Sequence, residues 1–121
     1  MKKILIAIDK FYDHNKENIS LLKRNNFDII YNKSKRDLIF PKDKHIYKGI
    51  DYIIAGLEKY SKEFFKEFKN LKAISRVGVG TDNIDLIAAK KNSVKVFVTS
   101  DKPSVAVSEL CVSNMISLLR H

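Results

Sequence analysis

The stretch Arg76-Val77-Gly78-Val79-Gly80-Thr81-Asp82-Asn83 is where the residue types could first do chemistry. Glycine has no Cβ, so a Gly-x-Gly turn can bare backbone N–H groups to an anion. Strand-like sequence precedes the turn and helix-like sequence follows it. At the C-terminal end of a parallel strand, where open α/β sheets take their ligands, the N–H groups of Val77 to Gly80 would cradle a carboxylate. A tight turn that needs glycine only for positive φ is the competing reading. Asp82 and Asn83 are expected to hold the turn and cap the next helix.

Gly-x-Gly also opens the dinucleotide fingerprint. That pattern places a third glycine three residues after Gly80, for close helix–strand packing, and an acid about 20 residues on for the ribose. Asn83 stands at the first position, and the candidate at the second is Asp101, after Thr99-Ser100. A self-sufficient NAD site is therefore not expected here. The other reactive side chains are His14 in a polar loop, His45 in a lysine-rich stretch, the terminal His121, and Cys111 within an apolar helical run. All three histidines read as surface groups, and Cys111 as a buried inert thiol. One cysteine excludes both a disulfide framework and a cysteine-based metal site.

The 121 residues suit one ordinary domain, and 45% hydrophobic with 31% charged residues is the composition of a soluble globular protein. No apolar run approaches the roughly 18 residues that span a bilayer. The run Ile4 to Ile8 after Met1-Lys2-Lys3 ends at Asp9-Lys10 with no small-residue cleavage site, so it reads as a buried first strand, not an export signal. The cytoplasm is then the default location. The net charge of +9 raises nucleic-acid binding. Against it, lysines alternate with acids, as from Lys59 to Glu67, and no arginine cluster interleaves with aromatics. No nucleic-acid or membrane partner is expected, though a positive field would draw small anions in.

The elements that must position the loop alternate strictly. Strands are expected at 3–8, 27–31, 51–55, 73–77 and 94–98. Helices are expected at 15–25, at 41–47 with proline in the first turn, at 61–68 capped by Ser61 and burying Phe64, Phe65 and Phe68, and at 84–91. Connections too long for hairpins argue for an α/β fold: a flavodoxin-like or Rossmann-like parallel sheet with helices on both faces. Pro103-Ser104 opens a last helix to about Leu119, with Ser104 as cap. Val105, Val107, Leu110, Cys111, Val112, Met115, Ile116, Leu118 and Leu119 cover more than half its circumference, an arc that needs partners on more than one side.

Several blocks together resemble one family. Leu71 to Leu86 resembles the glycine loop of D-isomer-specific 2-hydroxyacid dehydrogenases, especially phosphoglycerate dehydrogenases. Ala88-Ala89 and Val94 to Thr99 resemble its next helix and strand, Pro103 to Leu110 the start of its interdomain helix, and Asp51 to Glu58 the strand end that closes over the substrate. The resemblance is strong from Asp51 to His121.

It implies a substrate-binding domain at 1–102 and an interdomain helix at 103–121 leading toward an NAD-binding domain or second chain that this sequence lacks. It implies Gly56, Leu57, Gly78, Val79 and Gly80 as binders of a small 2-hydroxy or 2-oxo acid, and Val79 and Val107 near the nicotinamide end of NAD. The family's catalytic arginine and histidine–glutamate pair have no counterpart here, so no catalytic residue is assigned and the chain alone is expected to be inactive. Lys59 is the cation nearest the first loop. A homodimer is a further expectation. The alternatives are a stand-alone flavodoxin-like module for a small anion or protein partner, and a charge-driven nucleic-acid binder. A phospho-receiver lacks its paired acids, since Lys10-Phe11 follows Asp9.

Overall fold

A computed structural model describes residues 1–9, 11–101 and 103–120. Five strands form one sheet in the order β2-β1-β3-β4-β5. They are β1 (Lys2–Ile6), β2 (Phe27–Tyr31), β3 (Tyr52–Ala55), β4 (Ala73–Arg76) and β5 (Lys95–Phe97). Every pairing is parallel. The chain moves outward from β1 to β2, then returns past β1 and continues the other way. Crossovers between parallel strands are right-handed as a rule, so those on the two sides of that reversal place helices on opposite faces.

Helix α1 (Phe11–His14) is a single turn that was not expected, and α2 (Lys16–Arg24) follows it. α2 packs on the face to which Ile4 and Ile6 point, burying Ile19. Residues in register alternate with these: Leu5, Ile53 and Ile74 turn to the other face, where the main core lies. Helices α3 (Lys62–Glu67) and α4 (Leu86–Lys91) cover that face. Phe64 is its centre, with ring centroids 4.9 Å from both Tyr47 and Tyr60. Phe64 and Phe65 are fully buried, while Phe68 is only partly so.

Several expectations need correction. The segment 41–47 forms a 3-10 helix only over Lys44–Tyr47, and Pro41 lies in the turn before it. His14 ends α1 and is not in a loop. The last helix, α5 (Ser104–Leu119), has Pro103 at its cap position and no side-chain cap, so Ser104 is helical and not the cap. Cys111 is exposed, because α5 lies off the body of the domain and every described residue from 103 to 120 is exposed. Among the described residues, no helix is long and apolar enough to cross a membrane.

Candidate functional site

In-register pairing carries Ala55 and Arg76 to the same end of the sheet, so the chain leaves β3 and β4 side by side. Val77 N–H donates to the Ala55 carbonyl at 2.9 Å and extends the ladder by one bond. Gly56-Leu57 and Gly78-Val79-Gly80 therefore start from neighbouring strand ends. Gly78 has a φ of +146°, a conformation that suits only glycine. Its two backbone groups are tied to β5's exit: Gly78 N–H donates to Thr99 Oγ1 at 3.0 Å, and Thr99 N–H to the Gly78 carbonyl at 3.0 Å.

The cradle is therefore narrower than expected. The N–H groups of Val77 and Gly78 are occupied by Ala55 and Thr99. The Gly56 N–H is occupied by Glu58 Oε2 at 2.7 Å. Among the described residues, the N–H groups of Leu57, Val79 and Gly80 have no acceptor. Leu57 and Val79 are exposed, and Gly80 is half-buried.

The two loops are stitched together by Asn83. Its side-chain Nδ2 donates to the carbonyls of Glu58, at 2.7 Å, and Gly56, at 3.2 Å. Its own carbonyl accepts from Tyr60 N–H at 2.8 Å, and Asp85 N–H donates to the Tyr60 carbonyl at 2.9 Å. Tyr60 and Ile84 thus form a parallel bridge beyond β3, so Ile84 belongs to this bridge and not to the helix expected at 84–91. Neither Asp82 nor Asn83 caps α4. Asp85 does, accepting from Ala88 N–H at 2.8 Å.

Glu58 and Arg76 were not singled out as site residues by the sequence. Glu58 is buried, with Tyr60 Oη 3.4 Å from Oε2 and no partner for Oε1. Burial pushes its carboxyl above the usual range, and burial likewise raises the Tyr47 and Tyr60 hydroxyls. Arg76 folds back over Gly78, where its guanidinium fills the space a Cβ would need. Its Nε is buried without an acceptor. A buried donor without an acceptor is rare in a folded protein, and Arg76 Nε is one; the amides of Leu57, Val79 and Gly80 lie open on the two neighbouring loops. The one sign in the sequence was an acid two residues beyond a strand-ending glycine. Lys59 is exposed, as are His14 and His45, while His121 lies outside the described residues. Among the described residues no group of three or more His, Cys, Asp or Glu could hold a metal.

NAD fits this chain only in part. The start of α4, where a pyrophosphate would sit in a dinucleotide fold, is already capped by the Asp85 carboxylate. Val79 and Val107 are apolar and 43% and 54% exposed. Asp101 is exposed.

The sequence model described as "D-isomer specific 2-hydroxyacid dehydrogenase, catalytic domain" matches residues 6–120. The chain belongs to this family. It is 39% identical over 83 residues to D-3-phosphoglycerate dehydrogenase of Dictyostelium discoideum, covering 66% of the chain and 20% of that protein. To hydroxypyruvate reductase of Thermotoga maritima it is 35% identical over 69 residues, covering 57% of the chain and 22% of that protein. The solved structure of NAD+-bound 3-phosphoglycerate dehydrogenase from Entamoeba histolytica superposes with a TM-score of 0.79 at 26% identity, over 95% of this chain and 38% of that one. The chain thus spans about a fifth of the length of the curated relatives named here.

Proposed function

We propose that this catalytic-domain chain supplies the acid-gripping surface of an NAD-dependent oxidoreductase acting on the CH–OH group of a D-2-hydroxy acid. In this reading residues 1–102 are the substrate-binding domain, and 103–121 form the helix that leads toward an NAD-binding partner domain or chain. The N–H groups of Leu57, Val79 and Gly80 hold the carboxylate, and Gly56 and Gly78 shape the two turns. Val79 and Val107 offer an apolar surface to the nicotinamide end of the cofactor, which would take the hydride. The pyrophosphate and the acid–base groups belong elsewhere. The names of the relatives, a phosphoglycerate dehydrogenase and a hydroxypyruvate reductase, support a small 2-hydroxy or 2-oxo acid as ligand.

The observation that carries the reading is the set of unpartnered donors on two loops that Asn83 binds into one unit. Such preorganised donors act without reorganisation when an anion arrives. Titration of the 15N-labelled chain with pyruvate should shift the Leu57, Val79 and Gly80 amides saturably. The chain alone should not oxidise 2-hydroxy acids with NAD. Loop amides that stay unmoved at tens of millimolar pyruvate, or turnover by the isolated chain, would refute it.

A further inference from the structure

Among the described residues, Glu58 is the one buried acid beside the candidate site that this reading leaves without a role. Its side chain runs inward from the loop, with only 2% of the residue exposed. The carboxylate takes the Gly56 N–H at 2.7 Å, a charge-assisted length. A Cβ on Gly56 would lie 3.6 Å from both Glu58 oxygens and 3.2 Å from Ile8 Cγ1, so the loop is closely wrapped around this carboxyl group. The same stretch is held from its carbonyl side, where Asn83 Nδ2 bridges Gly56 and Glu58. Between these two grips lies Leu57, a residue that is 69% exposed and whose N–H is without an acceptor among the described residues. A residue bound before and after, with its own amide free, has its amide direction fixed by its neighbours.

We propose that Glu58 is a positioning residue: through the Gly56 N–H, and together with Asn83, it aims the Leu57 amide at the ligand without touching the ligand itself. The inference rests on the acid-binding reading above. Tightening one amide in this way matters because a preformed donor loses no ordering entropy on binding.

The groups facing the carboxyl are Tyr60 and Tyr47, with Asp37 acting electrostatically on it and Asp43 on Tyr47. The Arg36–Asp43 ion pair satisfies the last of these. None of them offers a cation to Glu58, so its grip on Gly56 answers to its own protonation.

The experiment is amide-resolved NMR of the full 121-residue chain with pyruvate as probe. Glu58→Met keeps the shape and removes the acceptor, while Glu58→Gln keeps an acceptor. In variants whose spectra show the native dispersion, Glu58→Met should weaken pyruvate binding about tenfold and Glu58→Gln less than threefold. Asn83→Asp, which loses the bridging donor, should weaken it as Glu58→Met does, and the double variant by no more than either single change. The Gly56 amide proton should lie downfield in the wild type and titrate with pH in step with the Glu58 carboxyl. That pH dependence should vanish in Glu58→Gln.

A folded Glu58→Met that binds pyruvate within threefold of wild type overturns the proposal, and so does a Gly56 amide indifferent to pH. If Glu58→Met does not fold, Asn83→Asp and the Gly56 titration decide. If pyruvate fails to move Val79 and Gly80 in the wild type, the acid-binding reading falls, while the Gly56 titration still tests the latch on its own.

Discussion

Two buried carboxyl groups, Glu58 and Asp43, are pushed in opposite directions by their surroundings. Asp43 receives both terminal nitrogens of Arg36, at 2.7 and 2.9 Å, and the Ile39 N–H at 2.8 Å. The guanidinium, the amide and the local charge hold its carboxyl down to about 2. A depressed folded value stabilises the native state above the unfolded value, about 4, and that contribution disappears as pH falls through about 2. Asp43→Asn should therefore lower stability at neutral pH and flatten the acid limb between pH about 4 and 2. Urea melts of both proteins at pH 7 and at low pH read this out, and an unchanged acid limb would remove Asp43 as its source.

Glu58 behaves inversely. Its folded value is raised by burial, so the native state binds the proton more tightly than the unfolded chain does. Stability is then lost as pH rises through the folded value. Glu58→Gln should be more stable than wild type at pH 8, with the two melting curves converging near pH 4. Parallel curves at all pH values would contradict this. The site keeps an acid at some cost in stability, as expected where a side chain serves geometry more than packing.

At the scale of elements, the sequence showed those segments in which local pattern and tertiary packing agree. The strand expected at 27–31 is found as Phe27–Tyr31 because β-branched and aromatic residues there also have a parallel partner in β1. Ser61 was legible as a cap because a hydroxyl before Lys62–Glu67 can reach only the helix it starts. The failures share one cause. Asn83, Ile84 and Asp85 read as turn and helix start, yet Asn83 and Tyr60 come together only because β3 and β4 end side by side. A contact between residues more than 20 positions apart leaves no local pattern, so the Asn83 staple could not be read from spacing; the occupied Gly56 amide is a local contact, with its acceptor Glu58 only two residues on. Cys111 failed for a similar reason. An apolar run signals burial only where something lies against it, and α5 has no such cover among the described residues.

The corrected cap can be measured. Asp85→Ala removes a 2.8 Å bond to the Ala88 amide and should cost about 1–2 kcal/mol. Ser61→Ala removes one at 3.5 Å and should cost about 0.5 kcal/mol. The order of the two in chemical denaturation tests the assignment: equal losses, or a larger loss at Ser61, would mean that α4 does not depend on Asp85.

For the whole molecule, net charge and exposed apolar surface make competing claims on its behaviour. A charge of +9 on 121 residues keeps copies apart at low ionic strength. α5 presents Val105, Val107, Leu110, Val112, Met115, Ile116, Leu118 and Leu119, each more than half exposed. Apolar surface contiguous along four turns of helix favours association wherever a second surface can cover it. Repulsion between the bodies is screened over about 10 Å at 0.1 M salt and about 3 Å at 1 M, whereas apolar burial is not screened. Self-association of the isolated chain should therefore grow both with protein concentration and with salt. In sedimentation, Leu110→Glu with Ile116→Lys should return the chain to a monomer at every salt concentration while leaving the fold of β1 to β5 unchanged, since α5 contributes no buried residue. Association that instead weakens as salt rises would assign it to the lysines and acids of the surface. The same salt series separates this behaviour from polyanion binding, whose affinity must fall steeply with added salt.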